Sequence, residues 1–173
     1  MIRAPFDALV CDMDGVIYRG DTAIPGAADA IDSLRAEGIK VLFCTNNSRT
    51  TVDGYVSKLH GFGIVATVEE ILTSAVVTAE TLQARGWAGH TALVVGGEGV
   101  RTALGAVCIS IKDDPAVTTT DLVVVGWTPE FTYDDMRRAA TAVRKGATLI
   151  ATNDDATFPA ADGLWPGAGS ILA

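Results

Sequence analysis

The chain has 173 residues, of which 49% are hydrophobic and 20% are charged, and its formal net charge is −8. This composition excludes a disordered or fibrous protein, and the length fits one domain or two small ones. The negative charge disfavours a nucleic-acid-binding surface, and no basic run indicates contact with a membrane. Three cysteines without a secretory segment lead us to expect a cytoplasmic protein, and no apolar run is long enough to span a membrane.

Strands and helices alternate in the first half of the chain. Apolar runs and helical spacing predict strands at 8–11 and 40–44 and helices at 27–37, 51–60 and 68–85. The helix between the two strands makes a strand–helix–strand unit, which predicts parallel strands and a right-handed crossover. A capping box of Thr67 and Glu70 is expected to begin the third helix.

The alternation then begins again. It predicts strands at 93–95, 106–111, 122–125 and 148–151 and helices at 100–104 and 133–145. The glycine-rich stretch at 95–99 reads as a strand-to-helix turn, since it lacks the spacing of a dinucleotide-binding loop. The tail at 153–173 is rich in glycine, proline and alanine, and predicts a loop followed by the first turn of a helix. We therefore expect an α/β protein with two units.

Two aspartates stand close together where the first predicted strand ends, in the stretch DMDG. Asp12 could attack phosphorus as a nucleophile, and Asp14 could protonate the leaving oxygen and then activate water. A divalent cation such as Mg²⁺ would screen the two carboxylates. Gly15 would let the backbone turn sharply, so that N–H groups face phosphoryl oxygens. The alternative is a turn that carries two solvated aspartates.

A run of short polar residues, TNNSR at 45–49, closes the second predicted strand. Ligands bind at the carboxyl edge of the strands in open α/β sheets. Thr45 would donate a hydrogen bond to a phosphate oxygen, and Asn46 would orient the substrate. The alternative is a polar loop that caps the next helix. Because both motifs end successive strands, a phosphoryl-binding edge is favoured over two unrelated loops.

These motifs, DMDGVIY at 12–18 and TNNSR at 45–49 joined by one helix, resemble motifs I and II of the haloacid dehalogenase (HAD) superfamily. The particular resemblance is to its NagD-like phosphatase branch, which includes p-nitrophenylphosphatase, phosphoglycolate phosphatase and glycerol-3-phosphate phosphatase. The stretches at 70–75 and 146–170 resemble the type-two cap of that branch and its return to the core. The resemblance runs from about residue 7 to the last residue.

The resemblance implies a Rossmann-like parallel-sheet core with an inserted α/β cap. Residues 1–74 would form the N-terminal half of the core, 75–152 the cap, and 153–173 the return linker and the start of the second core half. The implied substrate is a small phosphorylated metabolite, with no nucleic-acid or membrane partner. A homodimer through the cap is a further expectation.

The resemblance also implies the chemistry. Asp12 would be the nucleophile that forms an aspartyl-phosphate, and Asp14 the general acid and base. Mg²⁺ would be held by the Asp12 carboxylate and the Asp14 main-chain carbonyl.

Five further residues are implied as contacts of the phosphate or the substrate. Thr45, Asn46 and Asn47 follow the second strand, Gly15 lies in the first motif, and Phe158 lies in a cap loop that would help choose the substrate.

The family places a phosphate-binding lysine and a second acidic pair after the cap, and the chain stops at Ala173 before either could occur. Lys145 ends a predicted helix in the cap region and is not a substitute. We therefore expect the 173-residue chain to have little or no phosphatase activity, and its first strand to keep an open edge. Two alternatives stay open: a receiver-type signalling domain, which should lack the long insert seen here, and a non-catalytic binding or dimerisation module.

Overall fold

A computed structural model describes residues 6–116, 119–160 and 163–173. The chain falls into two compact units, the first made of Met1–Thr45 and Val52–Thr73 and the second of Asn46–Thr51 and Ser74–Ala173. Both are α/β units with parallel sheets, which confirms the expected fold class. The assignment of a core half and a cap to parts of the chain stays a prediction. Within the described ranges, no helix is long and apolar enough to cross a membrane.

The first unit has a three-stranded parallel sheet and a small hairpin. Its elements are β1 (Ala8–Asp12), β2 (Tyr18–Arg19), β3 (Thr22–Ala23), α1 (Ala27–Ala36), β4 (Lys40–Thr45), α2 (Val52–Gly61) and β5 (Ile71–Thr73). The sheet order is β1-β4-β5, and β2 pairs with β3 as an antiparallel hairpin. Phe43 on β4 is fully buried and packs in one apolar cluster with Ile31 of α1 and Leu59 of α2. Burial of this cluster fixes the helices against the sheet.

The predicted helix at 68–85 is wrong in its first part. The capping box of Thr67 and Glu70 is present, but it begins a 3₁₀ turn of three residues, Val68–Glu70. The chain then enters β5, where Ile71 and Thr73 are buried and the strand pairs in parallel with β4. Sheet pairing and burial outweigh the local helical spacing here, and the helix begins only at Ser74.

The second unit has a four-stranded parallel sheet and a second hairpin. Its elements are α3 (Ser74–Ala84), β6 (Thr91–Val95), α4 (Glu98–Ala106), β7 (Ser110–Ile111), β8 (Leu122–Val125), α5 (Tyr133–Arg144), β9 (Thr148–Ala151), β10 (Thr157–Ala160), β11 (Gly163–Pro166) and α6 (Ala168–Leu172). The sheet order is β7-β6-β8-β9. The central strands β6 and β8 are buried along almost their whole length, as expected for parallel strands that are covered on both faces.

Two predicted elements of the second unit differ from the structure. The strand expected at 106–111 is shortened to Ser110–Ile111, because α4 extends to Ala106. The tail, expected as a loop, folds into the antiparallel hairpin of β10 and β11 before the predicted helical turn, which is α6. Phe158 stands opposite Trp165 in this hairpin, and such aromatic cross-strand pairs stabilise a two-stranded ribbon.

The glycine-rich turn between β6 and α4 lies against the 46–51 loop, which belongs to the same unit. The Gly99 N–H donates a hydrogen bond to the Arg49 carbonyl oxygen at 2.7 Å. A Cβ atom at Gly99 would lie 2.8 Å from the Thr50 carbonyl carbon, and one at Gly97 would lie 2.8 Å from the Arg49 Cα. Glycine is therefore required at both positions because two backbones approach closely, not because of a bound nucleotide.

We expect Gly99→Ala to destabilise the second unit by about 1–3 kcal/mol, because the added methyl group forces the loop away from the turn. Thermal unfolding followed by circular dichroism would measure the change. Gly105→Ala is the matched control, since it lies in the same helix and its Cβ would meet nothing within 4 Å. That variant should be unchanged or more stable, and a Gly99→Ala protein as stable as the control would contradict the packing role.

Candidate active site

The carboxyl ends of β1 and β4 meet at one edge of the first unit's sheet. In the parallel register Asp12 stands opposite Cys44, and Thr45 stands opposite Thr73 of β5. Thr45 and Thr73 are 7% and 2% exposed, whereas Asp12 is exposed. This edge therefore presents the exposed Asp12 carboxylate near two buried threonines, and its role in ligand binding stays a prediction.

The turn that follows β1 is anchored by Met13, which is fully buried. The Met13 carbonyl oxygen accepts a hydrogen bond from the Ile17 N–H at 2.9 Å, and its own N–H donates to Asp12 Oδ1 at 2.8 Å. Gly15 has a φ of 79°, which side-chain-bearing residues rarely adopt. Its N–H donates to the Tyr18 carbonyl oxygen at 2.7 Å. The Gly15 N–H thus closes the turn, and a contact from Gly15 to phosphate stays a prediction.

Asp14 is flanked by a buried tyrosine and a lysine. The Tyr18 side chain is 1% exposed, and its hydroxyl donates to Asp14 Oδ2 at 3.4 Å. The Lys58 ammonium lies 4.0 Å from the centre of the Tyr18 ring, a cation–π distance, and 3.8 Å from Asp21 Oδ1. Lys58 therefore pairs with Asp21 and Tyr18, and its charge acts on Asp14 from there.

The environment of Asp14 raises the pKa of its carboxyl group above the ordinary value. Desolvation is the largest cause and the charge of Asp12 adds to it, while Lys58 and the Tyr18 hydrogen bond act in the opposite direction. Burial and the nearby aspartates also raise the pKa of the Tyr18 hydroxyl, so that it stays protonated and acts as a donor. A carboxyl group with a raised pKa holds its proton to higher pH, which suits a general acid.

The oxygen atoms around Asp12 and Asp14 are the kind of ligand that Mg²⁺ prefers. Both carboxylates and the Asp14 main-chain carbonyl lie in one short turn, so their chemistry fits a hard divalent cation. In the described ranges, no group of three or more acidic, histidine or cysteine side chains gathers into a metal cluster. This chain therefore offers part of an oxygen-ligand site, and the identity of the ion stays a prediction.

Asn46, Asn47 and Phe158 belong to the second unit. The Asn46 side chain donates from Nδ2 to Asp155 Oδ2, and Asn47 Oδ1 accepts from the Arg49 N–H at 2.9 Å. Asn47 therefore shapes its own loop as an Asx turn.

Phe158 lies between two tryptophans. Its ring centre is 5.0 Å from that of Trp127 and 6.3 Å from that of Trp165, with both pairs edge to face. The Trp127 Nε1 donates to the Pro166 carbonyl oxygen at 3.0 Å. The hairpin is thus held to the turn after β8, and half-buried Phe158 is part of that packing.

Sequence reasoning missed Tyr18 and Lys58 as partners of Asp14 and Asp155 as the partner of Asn46. Tyr18 could have been noted as a polar aromatic residue four positions after Asp14. Lys58 and Asp155 carry no sequence signal, since only the fold brings them to their partners.

Comparison with known proteins identifies the family. Residues 9–109 match the family of haloacid dehalogenase-like hydrolases. Over 168 residues the chain is 40% identical to an acid sugar phosphatase of Staphylococcus saprophyticus, an alignment that covers 97% of this chain and 63% of that protein. The chain belongs to the haloacid dehalogenase-like hydrolase family.

Solved structures agree with this result. A p-nitrophenyl phosphatase from Archaeoglobus fulgidus has a TM-score of 0.83 at 31% identity, over 96% of this chain and 62% of that one. A glycerol phosphate phosphatase from Mycobacterium tuberculosis, solved in complex with magnesium, has a TM-score of 0.84 at 33% identity, over 96% of this chain and 49% of that one. These neighbours confirm the predicted NagD-like branch.

The chain spans about two thirds or less of each of these relatives, namely 63% of the acid sugar phosphatase and 49–62% of the two solved phosphatases.

We expect Lys58→Met to raise the pKa of Asp14 further, because it removes the cation that opposes desolvation. Titration of the Asp14 carboxyl carbon by NMR would measure the shift. Lys40→Met is the matched control, since Lys40 is exposed at the start of β4, at the opposite end of that strand from Thr45. An Asp14 pKa that does not move, or that falls, in Lys58→Met would contradict the electrostatic role of Lys58.

Proposed function

We propose that the protein is a phosphatase that hydrolyses small phosphate monoesters through an aspartyl-phosphate on Asp12. The single observation that carries the proposal is the pair of unlike carboxyl groups at one sheet edge. Both are exposed, but Asp12 accepts a hydrogen bond from the Met13 N–H, whereas Asp14 accepts one from the buried Tyr18 hydroxyl and its pKa is raised by desolvation. Carboxyl groups in different environments are the usual arrangement for one nucleophile and one acid.

The reaction would proceed in two steps. An Asp12 carboxylate oxygen attacks phosphorus, the bond from phosphorus to the ester oxygen breaks, and Asp14 gives its proton to the departing oxygen. Asp14, now a carboxylate, then takes a proton from a water molecule that attacks the phosphorus of the aspartyl-phosphate. The bond from phosphorus to Asp12 breaks, inorganic phosphate leaves, and both side chains return to their first states.

Mg²⁺ is the cofactor we propose, held by the Asp12 carboxylate and the Asp14 main-chain carbonyl. When bound, it would neutralise part of the charge on the phosphoryl oxygens. The Tyr18 hydroxyl and the Lys58 ammonium would keep Asp14 oriented and prevent its pKa from rising further.

Thr45, Asn46 and Asn47 are proposed contacts of the phosphate or the substrate, with Gly15 in the first turn and Phe158 on the hairpin. Asn46 and Asn47 directly follow Thr45, the last residue of β4, in the chain. The relatives are named an acid sugar phosphatase, a p-nitrophenyl phosphatase and a glycerol phosphate phosphatase. A small phosphorylated metabolite, such as phosphoglycolate or glycerol 3-phosphate, is the substrate class we propose.

One observation favours a second candidate, a non-catalytic binding or dimerisation module. In the part of the chain that the structure describes, β1 pairs with β4 alone, and Val10 on that strand is 67% exposed. An exposed apolar residue on an edge strand favours contact with a further segment or chain. Light scattering combined with a Mg²⁺ titration would separate the two candidates, since a dimer without any metal response would support the module.

The phosphatase is tested with p-nitrophenyl phosphate and the complete gene product that contains this sequence. We expect Mg²⁺-dependent turnover, reduced at least about 10³-fold in Asp12→Asn because the nucleophile is lost. Asp32→Asn, an exposed change on α1, is the control and should keep full activity. Equal turnover by Asp12→Asn and the control would contradict the proposed function.

A further inference from the structure

Asn46 is held at three points by other residues of its own unit. Its side-chain Nδ2 donates to Asp155 Oδ2. Its main-chain carbonyl oxygen accepts from the Ser74 hydroxyl at 2.6 Å and from Asn153 Nδ2 at 2.7 Å. The backbone of Asn46 is therefore fixed by Ser74 and Asn153, and its side chain, among the described residues, by Asp155.

A carboxylate determines which way an asparagine amide faces. An ionised carboxylate only accepts hydrogen bonds, whereas an amide has one accepting oxygen and one donating nitrogen. Asn46 must therefore turn Nδ2 toward Asp155, and its Oδ1 takes the other side of the amide plane. A neutral partner with both donors and acceptors would allow either orientation.

Asp155 is itself held in place. Its main-chain N–H donates to Asn153 Oδ1 at 3.2 Å, and its carbonyl oxygen accepts from the Gly169 N–H at 2.9 Å. A Cβ atom at Gly167 would lie 3.1 Å from the Asp155 carbonyl carbon, so the chain at the start of α6 packs directly on this segment. The carboxylate is therefore presented from an anchored backbone.

We propose that Asp155 is a positioning residue that sets the orientation of the Asn46 amide toward the substrate. The inference rests on the proposed function, in which Asn46 contacts the substrate. An amide held in one orientation before binding loses less conformational freedom when the substrate arrives, which lowers the cost of binding. Asp155 itself need not touch the substrate.

Exchange of the two side chains separates positioning from simple structural support. Asn46→Asp alone places two carboxylates together and should lower the melting temperature through repulsion. In the double variant Asn46→Asp with Asp155→Asn, the hydrogen bond forms again with donor and acceptor reversed. We expect its melting temperature to return close to that of the wild type, while its KM stays raised because position 46 no longer carries the amide.

Kinetics of the complete gene product with p-nitrophenyl phosphate and glycerol phosphate complete the test. Asp155→Ala should raise KM about three- to tenfold, the range of one lost hydrogen bond, with kcat changed less than about twofold. Asp155→Asn keeps an accepting oxygen but adds a donor, so the Asn46 amide can pair in either orientation and KM should fall between those of the wild type and Asp155→Ala. Asp32→Asn is again the control for removal of a surface charge.

Three results would count against the inference. If Asp155→Ala has the KM of the wild type while Asp12→Asn abolishes turnover, the proposed function stands and the inference is wrong. If the exchanged double variant regains both its melting temperature and its KM, the pair is only structural. If Asp12→Asn keeps full turnover, the proposed function fails first and the role of Asp155 in it fails as well.

Discussion

Parallel pairing of β1 with β4 is the constraint on which the candidate site depends. The register sets Asp12 opposite Cys44, so that both strands end at the same edge of the sheet. A slip of one residue would turn Asp12 toward the other face and move Thr45 away from it. Burial of Phe43 on β4 resists such a slip, since the whole apolar set would then leave the core. The candidate site is thus positioned by the packing of the strand residues directly next to it, since Phe43 stands opposite Cys11.

Each candidate group is oriented by a neighbour that performs no chemistry. The buried Tyr18 hydroxyl bonds to Asp14, and the Asp155 carboxylate holds the Asn46 amide. The Gly97–Gly99 turn positions the backbone of the 46–51 loop, because only glycine in the turn lets the loop approach so closely. The proposed catalytic power therefore resides as much in these fixed orientations as in the reactive groups themselves.

Sequence patterns predicted the helices and strands whose formation depends on residues close together in the chain. The apolar runs at 8–11 and 40–44 predicted two strands, which the structure extends by one residue each, and the two polar motifs indicated the family that the comparisons show. The β5 strand was mistaken for helix, because its pairing with β4 is a contact between distant residues. The roles of Lys58 and Asp155 could not be predicted from the sequence, because their contacts are also with residues distant in the chain. No spacing in the chain indicates that Lys58 lies against Tyr18 or that Asp155 bonds to Asn46.

The central claim is that Asp12 accepts the phosphoryl group, and chemical trapping of that intermediate tests it most directly. In Asp14→Asn the first step with p-nitrophenyl phosphate should proceed, because the leaving group needs little protonation, while hydrolysis is slowed by loss of the base. Borohydride reduces an acyl phosphate to an alcohol. The account predicts that reduction of the quenched complete gene product converts Asp12 to homoserine, detected by peptide mass spectrometry. An unmodified Asp12 with homoserine at another aspartate, or a reduced glutamate side chain, would contradict it.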